Sequence, residues 1–231
     1  MSVDVENFLA EYKKDFYKDV KGSVLEIGPG YGTTLKHLNS EKISKLVLLE
    51  PNKEFLEQLK KTASELGYDE EVQSSTEKSN PDSSLKHGNK ATIIVNDSLV
   101  SQNSIPKALT DNGPYDSIIS SLVLCSVDDV DSAVNCIAGL LKPGGKFYFI
   151  EHKAVPYSLS LNTLLINVMQ RLVTPFWSLV SGNCHLDRKT VDIIKKSPAW
   201  ESVEIINSDV IVNNLMGRLA PMTFGIATKK M

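Results

Sequence analysis

Apolar residues recur along this chain with two different periods, and the alternation of those periods predicts its architecture. Val5, Phe8, Leu9, Tyr12, Phe16 and Val20 stand at helical spacing, which predicts an amphipathic helix over 5–20. The run "SVLEIG" (23–28) reads as a strand ending in a glycine turn, and "TTLKHL" (33–38) as the helix after it. "KLVLLE" (45–50) predicts a second strand, followed by a helix through "KEFLEQLKKTASEL". "ATIIVND" (91–97), "YDSIISSLVLC" (115–125) and "KFYFIEH" (146–152) supply three more strands. A helix around "VDSAVNCIAGLL" and a turn at "KPGG" (142–145) precede the last of them. Such regular alternation means a parallel sheet covered on both faces by helices. "SVEIIN" (202–207) and "MTFGIATKK" (222–230) add two strands, which close the sheet edge as an antiparallel hairpin. The expectation is one α/β domain over 1–231, with seven strands in a mostly parallel sheet.

Two stretches depart from this rhythm. Residues 68–90 are rich in Ser, Asn, Lys, Asp and Glu, and read as a flexible surface insertion, with a lid or partner-binding loop as the alternative. Residues 154–181 carry one formal charge, Arg171, which is too apolar for a surface linker. They predict two helices broken at Pro175, forming a lid over 154–190 that supplies a greasy acceptor pocket. Peripheral contact with a membrane through 154–181 is the competing reading. Phe176 and Trp177 favour it, and the lack of a basic face opposes it.

Composition narrows the partners. A net charge of -3 and a pI near 5.8 leave no basic field for a polyphosphate backbone, which argues against nucleic acid as the main partner. Cys125, Cys136 and Cys184 are odd in number and unevenly spaced. They suggest neither a disulfide framework nor a metal site, and fit a reducing compartment. The charged start "MSVDVENFLAEYKKDF" lacks the core of a signal peptide, and no apolar run is long enough to cross a bilayer. A cytoplasmic protein is expected, membrane-associated at most through 154–181.

The candidate chemistry lies in "LEIGPGYG" (25–32). A turn from the first strand sits at the carboxyl end of a parallel sheet, where α/β proteins bind ligands. Its glycines would suit NAD, FAD or S-adenosylmethionine. A dinucleotide site wants G-x-G-x-x-G, yet Gly28, Gly30 and Gly32 are followed by Thr33 where the third glycine would fall. Glu26 would be unhelpful near a pyrophosphate, but it suits the ammonium of a methionine moiety. Glu50, followed by Pro51 at the end of the second strand, is placed to accept from both ribose hydroxyls, or is a solvated strand-end acid. Asp97 with Ser98 could take the adenine amino group, or cap a following helix. Leu122 and Val123 would pack under the cofactor or be plain core, and Tyr31 could lean over it.

Together with "LLKPGGKFYF", this set resembles the class I S-adenosylmethionine-dependent methyltransferases, which implies a Rossmann-like fold and S-adenosyl-L-methionine as cofactor. Two longer segments, "SLVLCSV" (121–127) and "LKPGGKFYFIEH" (141–152), are similar to those of the animal methyltransferase-like alkyl thiol S-methyltransferases. So are Pro175, Trp177, Cys184, Leu186 and Arg188, at the spacing P-x-W-x(6)-C-x-L-x-R, and the close "PMTFGIATKK". That family usually has Cys in place of Pro29 and Asp in place of Glu50, and begins with an apolar anchoring helix that residues 1–16 do not match. The resemblance implies S-methylation of a small hydrophobic thiol. N- or O-methylation of a lipid head group, amine or phenol, or cofactor binding without turnover, are the other readings. His152 is the expected base for a thiol acceptor, or else a structural histidine bonding the next loop.

Overall fold

The sheet is built from strands whose burial follows their position in it. A computed structural model describes residues 3–70, 90–100, 104–157, 160–212 and 215–231. Most of the expected insertion, residues 71–89, lies outside them. The strands are β1 (Gly22–Ile27), β2 (Ile43–Leu49), β3 (Tyr68–Glu70), β4 (Lys90–Val95), β5 (Tyr115–Ser121), β6 (Leu141–His152), β7 (Trp200–Val210) and β8 (Met222–Lys229). They pair in the order β3-β4-β2-β1-β5-β6-β8-β7. The first six run parallel, and β8 lies antiparallel between β6 and β7. The Rossmann-like sheet thus holds the seven expected strands, and the three-residue β3 extends one edge. Central β1 and β2 are near-continuous apolar runs because helices cover both their faces, whereas edge strand β7 alternates between half-buried and exposed positions.

The helices are α1 (Val3–Phe16), α2 (Lys53–Glu65), α3 (Lys107–Asn112), α4 (Val130–Leu140), α5 (Leu161–Val180), α6 (Thr190–Lys196) and α7 (Leu215–Leu219). Alternate residues of each strand feed opposite cores. Leu25, Val47, Ile118 and Phe147 pack with α4 and α6, while Val24, Leu46, Ile119 and Tyr148 pack with α1 and α2. A carboxylate at position 26 therefore points into the α1 side of an otherwise apolar strand.

Three local expectations are corrected. The helix expected over 33–38 is a single 3-10 turn, Leu35–His37. The glycine turn uses up the start of the short β1–β2 connection, and Leu38 is already extended. The turn at 142–145 is a bulge within β6, whose register against β5 shifts between Tyr115 and Ser117. Most consequentially, α5 runs unbroken through Pro175. Proline removes the amide that would bond the Arg171 carbonyl, but Arg171 and Pro175 lie on the exposed face, where water can satisfy that carbonyl.

Candidate active site

The glycine turn is a tight contact as much as a flexible one. Gly28, Gly30 and Gly32 all have positive φ, at 63°, 58° and 78°. A side chain on Gly28 would sit 2.6 Å from Val123 Cγ2, and one on Gly32 would press on Leu59 and Leu35. Nothing lies within 4 Å of where a side chain on Gly30 would stand, so this is where a ligand can lie against bare backbone. Glu50, buried at the end of β2, accepts from Gly30 N at 2.9 Å through Oε2 and from Asn52 N at 2.9 Å through Oε1. It fixes the turn, and each oxygen keeps a further lone pair for a ribose hydroxyl. Asn96, which the sequence did not single out, holds the same strand end by donating to the Glu50 and Pro51 carbonyls at 2.7 and 3.1 Å.

Glu26 is 1 % exposed, and burial pushes its carboxyl up to about 7. A hydrogen bond to Thr34 and the charge of Lys13 only partly offset that burial. Its Oε2 is buried without a partner, near the buried phenol of Tyr17, whose ionisation its charge opposes. A buried acid with an open lone pair is incomplete alone and complementary to a group bearing an ammonium. The amino-acid end of S-adenosylmethionine carries that charge, and the residues present fit it.

The other expected cofactor residues are placed less tightly. Half-buried Asp97 accepts from Ser98 N at 2.7 Å and caps no helix among the described residues. Tyr31 is half exposed, with its ring 4.7 Å from that of Phe55, and Pro51 is exposed. Leu122 adopts φ 59°, rare for a branched side chain, and its N–H donates to the Ile150 carbonyl at 2.7 Å. That conformation turns the chain sharply after β5, so that Val123 meets Gly28.

Glu151, an acid inside the apolar run "FYFIEH", secures this turn. Fully buried, it accepts from Val123 N at 3.2 Å, Leu124 N at 2.9 Å, Cys125 N at 3.2 Å and Ser120 Oγ at 3.0 Å. Burial raises its carboxyl above the usual range, and these donors draw it back. Arg188 reaches from the chain after α5 to the Leu124 and Val127 carbonyls.

His152, the next residue of β6, has Nδ1 3.4 Å from Cys184 Sγ, and Cys184 Sγ lies 3.3 Å from Cys125 Sγ. One side chain comes from the turn after β5, one from the end of β6 and one from the segment after α5. The contact with Cys125, aided by His152, holds the Cys184 thiol below its ordinary value; the same contact and burial raise that of Cys125. Helix α5 covers this cluster with Ile166, Val173 and Trp177. Its attachment is polar. Gln170 donates to the Leu219, Leu186 and Lys153 carbonyls and accepts from Val155 N, while Asn167 donates to the Val155 carbonyl. Leu161, Leu165, Leu172, Phe176, Leu179 and Val180 face outward instead. A separate cavity of about 630 Å³ opens at the amino ends of the strands, lined by Lys21, Lys42, Asp116 and Lys142, opposite the glycine turn.

The topology, the acid-flanked glycine turn and the glutamate after β2 define a class I S-adenosylmethionine-dependent methyltransferase, an enzyme that binds S-adenosylmethionine. Comparison with known proteins agrees. A family model described as a methyltransferase domain matches residues 4–187, and the chain belongs to that family. It is 25 % identical over 203 residues to the mitochondrial methyltransferase OMS1 of Saccharomyces cerevisiae, covering 82 % of this chain and 38 % of that protein. It is 35 % identical over 91 residues to the thiol S-methyltransferase TMT1B of Rattus norvegicus, covering 39 % of this chain and 35 % of that one. The matches thus span little more than a third of either relative. Among solved structures, the N-methyltransferase NodS of Bradyrhizobium japonicum bound to S-adenosylhomocysteine superposes with a TM-score of 0.58 at 12 % identity, over 97 % of this chain and 88 % of that one.

Proposed function

We propose that the enzyme transfers a methyl group to a small organic acceptor, and that this acceptor is a hydrophobic thiol. The observation that carries the reading is the meeting of Cys125, His152 and Cys184 at the carboxyl ends of β5 and β6. Cys125 lies two residues beyond Val123, which touches the glycine turn. The stretches that resemble thiol S-methyltransferases in sequence supply all three side chains. When bound, S-adenosylmethionine brings the methyl group on a sulfonium. The chain must then hold the acceptor sulfur in line and keep water away. The buried cluster under α5 is apolar enough to do so, with His152 and the two thiols as its polar groups.

The outward apolar face of α5 favours a second element of this reading, contact with a lipid surface from which such acceptors partition. The test incubates the protein with radiolabelled S-adenosylmethionine and matched alkyl thiols, amines and phenols. Thiols should be labelled, and His152→Ala should lower turnover while leaving S-adenosylhomocysteine affinity within about twofold. Labelling of amines or phenols without thiols refutes the acceptor. Failure to float with phosphatidylcholine vesicles refutes the lipid contact alone.

A further inference from the structure

We propose that Cys125, His152 and Cys184 form a binding site for a thiophilic divalent cation of the zinc type, with the fourth position open to the acceptor sulfur. These are the residues that, among those described, bring three ligand atoms within 4.8 Å of one another. Two thiolates and an imidazole form a donor set suited to zinc, and three protein ligands with one open position are the arrangement of its catalytic sites.

The distances separate this reading from a redox-active cysteine pair. Tetrahedral zinc, with bonds of about 2.3 Å to sulfur and 2.0–2.1 Å to nitrogen, sets sulfurs about 3.8 Å apart and sulfur and nitrogen about 3.6 Å apart. The separations here are 3.3 Å between the sulfurs and 3.4 Å from Cys184 Sγ to His152 Nδ1. A cation therefore asks the sulfurs to part by about 0.5 Å. A disulfide, at about 2.05 Å, asks them to close by more than 1 Å and leaves the histidine unexplained. The surroundings also fit. Cys125 and Cys184 are buried, and the site is anchored on the turn gripped by Glu151.

Only the acceptor half of this inference rests on the proposed S-methylation. A thiol entering the open position would lose its proton to bulk water and bind as the thiolate, with no change of oxidation state. His152 would then act as a ligand, and the cation, by stabilising the bound thiolate, would remove the need for a protein base.

The experiment adds Co²⁺ alone, then Zn²⁺, to the full chain kept reduced with a phosphine under argon. The expected result is a sulfur-to-cobalt charge-transfer band and tetrahedral ligand-field bands, saturating at one equivalent and bleached by Zn²⁺. Cys125→Ser and Cys184→Ser should each weaken the charge-transfer band. His152→Ala should cost more affinity than the roughly 10–100-fold typical of losing an outer-shell partner. Cys136→Ser should change nothing, since Cys136 contacts the Leu99 carbonyl elsewhere in the core. Melting curves of each variant separate ligand loss from unfolding, and His152→Ala leaves both thiols in place as a second reading.

No band in the folded, reduced protein overturns the site, as does a band unchanged in folded Cys184→Ser. Cation binding without thiol methylation refutes the proposed acceptor and leaves the site standing. Thiol methylation equally fast after the cation is stripped with a chelator overturns its role in catalysis.

Discussion

Glu26→Gln should make the ligand-free protein more stable while crippling cofactor binding. Burial holds the carboxyl at about 7 instead of 4.5. The folded state therefore binds this proton more tightly than the unfolded chain, and stability falls as pH climbs from about 4.5 to 7. At about pH 8 the ionised group costs the fold about 3 kcal/mol. Glutamine keeps the shape and removes the charge, but places an amide where Oε2 now lacks a partner, which returns about 1 kcal/mol. The net gain is about 2 kcal/mol, or about 4–8 °C in Tm for a domain of this size. As the proposed partner of the cofactor ammonium, Glu26 would give up a charge-assisted contact on this change, which should weaken S-adenosylhomocysteine roughly a hundredfold. Calorimetric melts of both proteins at pH 5, 7 and 8.5, with titrations of S-adenosylhomocysteine, test both halves. Wild-type affinity should rise about tenfold per pH unit up to pH 7 and level off above it. A pH-independent difference in stability, a less stable variant at pH 8.5, or unchanged affinity would refute the assignment.

The two glycines should separate strain from ligand contact. Gly28→Ala adds a clash with Val123 to positive-φ strain and should cost about 2–4 kcal/mol in urea unfolding, partly restored by Val123→Ala. Gly30→Ala, with open space around it, should cost only about 1–2 kcal/mol yet weaken cofactor binding at least as much. Glu50→Ala should lower S-adenosylhomocysteine affinity about a hundredfold by titration calorimetry, through loss of the ribose acceptor and the Gly30 N–H contact; unchanged affinity removes the ribose role. Burial alone would raise the Glu6 carboxyl, but the neighbouring His37 and the hydrogen bond and charge of Lys13 bring it down to about 2. Its contribution, about 3 kcal/mol, is complete above about pH 5 and lost as pH falls through 2. Glu6→Gln should therefore flatten that part of the stability–pH curve measured by urea titration.

Much of this protein is written locally in its sequence. The alternating periods specify a wound parallel sheet because each strand or helix must bury its own apolar face, whatever its neighbours are. The glycine turn with Glu26 beside it is readable for the same reason, since its pattern is set within a few residues of one strand end. Other features depend on distant parts of the chain. The 33–38 segment has a helical pattern but too little chain before β2, so it makes one turn. In α5 the apolar residues suggested an inward face, yet Gln170 and Asn167 find buried backbone partners and turn most of them outward. Periodicity reports the amphipathic character of a helix; only the hydrogen-bond partners decide which face is buried. Glu151 is not singled out by the sequence, because its value lies in three amides from another turn. Cys125, His152 and Cys184 share no spacing that sequence could recognise, because their contact exists only once β5, β6 and the segment after α5 converge. The glycine turn was therefore legible from one stretch of chain, and the meeting of Cys125, His152 and Cys184 had to wait for the fold.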